Sequence, residues 1–399
     1  MKKTVRWMLR IFAGLLILLL VLGATVFGVW HHEISTLMSI ELLKDRNDGH
    51  LDGAVYTMDV SGGFYLDDFV ARGGVSGDGE LISFVTEKLT KGVIPLSLES
   101  PEIGCSSFTA RTAEGDVLFG RNYDFSKTNT VIVRTQGSGD RHSTISTVDL
   151  QFLSIDPEKN VEGLLSKAMM LAAPYAPLDG INDAGVSCGI YMTYQGGDTT
   201  VATDQNTEKP DFTSTTLLRL ILDYADTVEE AVQIASSYDL HDSAMTSYHY
   251  MVADASGASA ILEWVGDRDE TDNDGSARQL VVSYHDRDEE NGEREAESDL
   301  QVVTNFILKP GYYEGSPAEN KKGADRYERL WEDLTEVNGI FADEEAAMEL
   351  LKTVGRRSWN NDDKNGCTVH SVIYNLTDRT ALWVPNENFQ DPGYVFSFR

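Results

Sequence analysis

The chain has 399 residues, 41% hydrophobic and 24% charged, a balance that suits a packed globular protein and excludes a disordered one. Its net charge is −31, and the four cations before residue 11 leave −35 on everything after them. A body that acidic repels nucleic acid and anionic lipid heads, so no nucleic-acid partner is expected, and nothing in the sequence decides between a monomer and a homo-oligomer.

The first element is an uncharged apolar run, Ile11 to Trp30, led by Lys2, Lys3, Arg6 and Arg10. Its length at the helical rise matches a bilayer's hydrocarbon core. It ends in Val29–Trp30–His31–His32, which lacks the small-x-small pattern of a cleaved signal. The cations favour keeping the N-terminal end in the cytoplasm. Residues 1–30 therefore read as a signal anchor in the cell membrane, single-pass, with the rest of the chain extracellular; a removed signal is the alternative.

Residues 31–104 are too short and too rich in Gly and Asp to form a domain of their own, and read as a prosegment. One helix is expected there, Gly79 to Lys91, with Leu81, Ile82, Val85 and Leu89 on one side. From Cys105 onward the pattern is one of short alternating strands: Ser107–Ala113 and Asp116–Tyr123 around a Glu114–Gly115 turn, then Thr130–Thr135, Thr144–Leu153 and Val186–Tyr194. Helices are expected at Ser214–Tyr224 and Thr227–Ser237, the second opened by a Thr227-to-Glu230 capping box.

Strands resume at Tyr248–Ala253, Ala258–Trp264, Leu280–Tyr284 and Leu300–Thr304. Helices Ala324–Leu334 and Asp343–Thr353 follow, then strands Thr368–Tyr374 and Thr380–Val384. Runs of strands broken by paired helices predict antiparallel sheets with helices outside them, one α+β domain over 105–399. The acidic stretch Asp267 to Asp299 lacks a spaced calcium loop and reads as a solvated insertion around one strand, Gln279–Tyr284. The eight histidines show no metal-binding pair, and no phosphate loop is present, so no metal or cofactor is implied.

Three cysteines, Cys105, Cys188 and Cys367, build no disulfide framework. Cys188 and Cys367 fall in strands, where buried thiols are the simpler reading than a bridge. Cys105 is different. It follows Gly104 and the extended, turn-prone Ser100–Pro101–Glu102–Ile103, which suits a cleavage site. A freed Cys105 would carry a thiol beside an α-amine of pKa near ~8, able to act as its base. With a two-residue Glu114–Gly115 turn, Cys105 lies opposite Asp124, and Arg121 needs a bulge near Asn122–Tyr123 to reach the thiol. Such an arginine would favour the thiolate. An ordinary strand-end ion pair fits the spacing of Arg121 and Asp124 equally well.

Gly104–Cys105–Ser106–Ser107 followed by Phe119–Gly120–Arg121–Asn122–Tyr123–Asp124 resembles the opening of the choloylglycine hydrolase and penicillin V acylase family of N-terminal-nucleophile (Ntn) hydrolases. The resemblance continues through Asp179–Val186, Val303–Thr304–Asn305 and Asp325–Arg326–Tyr327. It implies a four-layer αββα sandwich and hydrolysis of a linear, non-peptide amide of an N-acyl substrate. It also implies roles: Cys105 as nucleophile, Asp124 holding its freed amine, Arg121 beside the thiol, Asn305 as oxyanion donor and Arg326 organising charge behind the site. The family's second oxyanion position falls on Met192, where only the backbone N–H can serve. In carrying its nucleophile inside the chain, this sequence looks more like the acid ceramidase-like and penicillin acyltransferase-like members, which cut themselves before an internal Cys. Two other readings remain open at this point: acyl transfer to an amine or thiol acceptor, and a membrane-anchored domain that binds without catalysis.

Overall fold

The structure is a computed structural model, and it describes residues 2–93, 104–196, 199–267, 272–285, 300–317, 320–359 and 366–398. The linker Ser100–Ile103 and most of the acidic stretch, 268–271 and 286–299, lie outside them.

The first helix, α1, runs from Lys2 to Met38 with a non-helical backbone at Trp30 (φ −120°, ψ 23°). It is long and apolar enough to cross a membrane, and its most apolar eighteen residues, with mean hydropathy 2.6, bury nothing in the protein. Beyond the Trp30 kink the same helix turns into the globular body, burying Glu33 and Thr36. The apolar run and the helix thus end at different places, because packing rather than lipid shapes the last two turns.

Next come β1 (Glu41–Lys44), β2 (Val55–Asp59), α2 (Leu66–Ala71) and α3 (Asp78–Thr90). Of these only α3 is expected from the sequence. Strands β3 (Gly104–Thr112), β4 (Val117–Ser126), β5 (Thr130–Thr135) and β6 (Thr144–Asp149) follow. The expected strand to Leu153 stops at Asp149, whose carboxylate accepts from the Gln151 N–H at 2.8 Å and turns Leu150–Leu153 into a short 3₁₀ helix.

The middle of the chain gives α4 (Gly163–Met169), β7 (Asp179–Asn182), β8 (Ser187–Met192), β9 (Asp211–Thr213), α5 (Ser214–Tyr224), α6 (Val228–Ser236) and β10 (Asp239–His241). At the start of α6, Thr227 accepts from the Glu230 N–H at 3.2 Å, but the Glu230 side chain returns to Asp226, one residue short of a reciprocal box. The rest is β11 (Tyr248–Ala253), β12 (Ser259–Val265), β13 (Gln279–His285), β14 (Val302–Val303), α7 (Ala324–Glu336), β15 (Ile340–Phe341), α8 (Glu344–Thr353), α9 (Arg356–Trp359), β16 (Gly366–Asn375), β17 (Thr380–Pro385) and β18 (Tyr394–Ser397).

Apart from β9 and β10, which pair in parallel with each other, these strands form two large sheets, ordered β1-β2-β5-β6-β7-β8-β11-β12-β13 and β14-β3-β4-β16-β17-β18, with β15 added beside β3. Helices α5 and α6 cover the outer face of the first, packing on β7, β8, β11 and β12. Helices α7 and α8 cover the second, on β3, β14, β4 and β16, through Leu330, Leu334 and Leu351 against Phe108, Leu118 and Ile373. The inner faces meet across contacts such as Tyr191 Oη to Ser107 Oγ at 2.5 Å. The architecture is the αββα sandwich.

Residues 31–93 do not stand apart. β2 lies parallel to β5 within the larger sheet, Val55 opposite Thr130 through Asp59 opposite Arg134. Met58, Leu66, Phe69, Leu81, Phe84 and Val85 are almost fully buried in the common core. At about 2 kcal/mol for each such side chain, this segment is a structural layer of the domain.

Candidate active site

Cys105 sits second in β3, fully buried on the inner face. Its hairpin partner differs from the expected one. The turn has three residues, because Thr112 pairs with Asp116 (Thr112 N to Asp116 O, 2.8 Å) while the Ala113 N–H is taken by Phe341 of β15 at 2.7 Å. Gly115 closes it at φ 101°, a backbone that favours glycine. The register moves by one: Cys105 faces Tyr123, Gly104 faces Asp124, and Ser107 faces Arg121. Cys105 and Arg121 therefore share the inner face without a bulge in this hairpin, and Asp124 points to the outer one.

The irregularity lies one strand over. Between β4 and β16, Thr368 pairs with Asp124 and His370 with Tyr123, so Val369 is an extra residue. In a regular strand residues 368 and 370 would share a face; the bulge separates them. Thr368 Oγ1 then donates to Asp124 Oδ1 at 2.6 Å on the outer side, and His370 Nε2 comes within 2.8 Å of Asp179 Oδ2 on the inner side.

Four of the side chains singled out in the sequence converge on Cys105. Arg121 Nη2 lies 3.5 Å from its Sγ and also donates to the Ile190 carbonyl at 2.7 Å. The Cys105 N–H donates to Asn305 Oδ1 at 3.0 Å, and Arg326 Nη2 donates to the same oxygen at 2.7 Å. Arg326 Nη1 bridges the Cys105 carbonyl (2.6 Å) and Asp124 Oδ2 (3.2 Å). Arg326 is buried, 9% exposed. Two donors on Oδ1 settle the amide orientation of Asn305, so its Nδ2 donates to the Met192 carbonyl at 2.8 Å and retains a second N–H. Met192 thus touches the site through its carbonyl. Cys188 and Cys367 are free, buried thiols.

Burial pushes the Cys105 thiol up to about 11; Arg121 pulls it down, Asp124 adds to the rise, and Arg326 opposes it. With Gly104 still attached, the sulfur keeps its proton at neutral pH. Behind Arg121 stands Asp179, fully buried, accepting from Arg121 Nε (2.8 Å), His370 Nε2 (2.8 Å) and Tyr374 Oη (2.6 Å). Burial alone would raise this carboxyl, yet His370, Arg121 and Tyr374 together hold it down at about 2. Spacing does not single out Asp179, Thr368, His370 or Tyr374 for this site. The available signal is a histidine inside the apolar strand Thr368–Tyr374, which must find a partner between the sheets.

Gly189, opposite Asp179 in the sheet, leaves room for the guanidinium. A Cβ there would stand 2.7 Å from Arg121 Nη1 and 2.7 Å from Tyr191 Oη. Gly189→Ala is expected to displace Arg121 and lower amide turnover about 100-fold, at a stability cost of about 1–3 kcal/mol. Initial rates set beside a thermal melt separate the two effects.

Residues 105–268 match the model of the linear amide C–N hydrolases, choloylglycine hydrolase family. The match opens on Cys105 itself. No curated protein sequence matches the chain. Among solved structures, a mutant conjugated bile acid hydrolase from Clostridium perfringens aligns over 73% of this chain and 92% of its own at 13% identity, TM-score 0.48. Penicillin V acylase from Agrobacterium tumefaciens aligns over 70% and 83% at 17% identity, TM-score 0.44. The Caenorhabditis elegans ortholog of N-acylethanolamine-hydrolyzing acid amidase aligns over 73% and 100% at 16% identity, TM-score 0.38. Residues 105–268 are thus similar to the linear amide C–N hydrolases, and the side chains gathered around Cys105 are the candidates for such chemistry.

Proposed function

We propose that this amide hydrolase acts through Cys105 as an N-terminal nucleophile, uncovered by cleavage of the Gly104–Cys105 bond. The observation that carries the proposal is the convergence of Arg121, Asn305 and Arg326 on a cysteine that directly follows Gly104. Once freed, the α-amine takes the thiol proton. The thiolate, beside Arg121, adds to the carbonyl of an N-acyl amide. The second N–H of Asn305 faces the developing oxyanion, a donor commonly worth about 3 kcal/mol. Collapse breaks the C–N bond, the amine leaves with a proton from the α-ammonium, and water hydrolyses the thioester to the acid. Asp124, held by Thr368 and Arg326 next to residue 104, is the group that retains the α-amine.

In the same proposal, α1 anchors the enzyme in the cell membrane with Lys2, Lys3, Arg6 and Arg10 on the cytoplasmic side and the sandwich outside. Residues 31–104 are its prosegment and 105–399 its catalytic domain. The cut leaves that domain docked on the anchored segment through β2 and the core side chains of α2 and α3.

Intact mass measurement of the chain purified in detergent is expected to show a fragment beginning at Cys105, co-eluting in gel filtration with residues 1–104. Amide turnover follows with a panel of hexanoyl, palmitoyl and phenoxyacetyl p-nitroanilides, penicillin V and glycocholate. A fully active chain that remains in one piece would rule this mechanism out.

A further inference from the structure

Asn305 belongs to a loop held from the opposite sheet by a buried pair that takes no part in the chemistry above. His249 on β11 and Glu263 on β12 are cross-strand partners, each at most 1% exposed. His249 Nδ1 lies 2.9 Å from Glu263 Oε1, and its Nε2 lies 2.9 Å from the carbonyl oxygen of Thr304, the residue before Asn305. Glu263 reaches the far side of the same loop, accepting the Leu308 N–H on Oε1 and the Lys309 N–H on Oε2, both at 2.8 Å. Residues 304–309 are thus gripped at both ends, with Asn305 inside the grip. Between them the Tyr194 N–H donates to the Asn305 carbonyl at 3.1 Å.

We infer that His249 and Glu263 are positioning residues that set Asn305 against Cys105. A carbonyl oxygen only accepts, so the ring donates from Nε2 to Thr304, and its Nδ1 shares the remaining contact with Glu263. Burying such a polar pair is rarely better for stability than packing two hydrocarbons in the same space. What an apolar pair could not do is hold one carbonyl and two amide N–H groups of an irregular loop. The ring edge of His249 also packs on Tyr191, 5.7 Å between centroids at 82°, and Tyr191 carries the Arg121 guanidinium over its face at 4.4 Å.

The inference rests on Asn305 acting at Cys105, and the test separates the two. In the full chain in detergent, with rates on the best p-nitroanilide of the panel normalised to cleaved enzyme, His249→Gln is expected to lower kcat about 100-fold with little change in KM. In an Asn305→Ala background the same substitution should cost less than about threefold, because its target is already gone. Equal losses in the two backgrounds would mean that His249 only supports the fold, and would overturn the inference. Should His249→Gln not fold, Glu263→Gln, which keeps the side chain's shape, enters the same cycle. Full activity in Asn305→Ala alone would instead remove Asn305 from the reaction.

Discussion

Cys105→Ala is expected to leave the chain in one piece and to abolish amide turnover, by more than about a thousandfold, while the protein still folds. The side chain lost is one sulfur in a site whose other bonds involve the Cys105 main chain, namely its N–H to Asn305 and its carbonyl to Arg326. Those remain in alanine. The melting temperature should therefore move little, and Arg121 keeps Asp179 and the Ile190 carbonyl as partners. Intact mass and initial rates on one preparation check both halves. A cut, active alanine variant would place the nucleophile elsewhere.

The largest stability effect is expected at Asp179. Arg121 and Asp179 are both 0% exposed, and removing one partner of a buried pair strands the other charge without solvent, at a cost of about 3–5 kcal/mol. Asp179→Ala should therefore destabilise the protein and disorder Arg121, so activity falls along with the melting temperature. The acid side of the stability curve gives the sign. The folded carboxyl is held at about 2 against an ordinary 3.8, so its contribution is complete above pH ~4. It is lost as pH falls toward 2, and amounts to about 2.5 kcal/mol. Chemical denaturation at pH 3 and pH 7 should show about 1 kcal/mol of that loss in the parent chain and none of it in the variant. An unchanged acid-side loss in the variant would assign it to other carboxylates.

Regular elements are legible wherever the side-chain period is strong. β5, β11 and α5 fall on the expected Thr130–Thr135, Tyr248–Ala253 and Ser214–Tyr224 because short runs of β-branched and aromatic residues, or apolar residues at helical spacing, lie between clear breakers. β2 is not legible in this way. Its five residues sit among glycines and aspartates, and become a strand only because β5 offers an edge. The site divides along similar lines. Cys105, Arg121 and Asp124 are close in sequence, so a hairpin brings them near one another whatever the rest does. The one-residue error in their register comes from β15 claiming the Ala113 N–H, a contact made more than two hundred residues away. Thr368 reaches Asp124 and His370 reaches Asp179 only through the Val369 bulge and the stacking of two sheets, and no local pattern carries that information.

The parallel pairing of β2 with β5 has a temporal consequence. Residues on both sides of the proposed cut contribute to one sheet and one core, so the bond before Cys105 is brought to Arg326 and Asn305 only after the distant parts of the polypeptide have assembled. In the proposed maturation the cut works as an inspection step, in which a misassembled copy never acquires its reactive terminus. A gene truncated to begin at residue 105 would skip that inspection, and would also lack the layer on which the remainder folds.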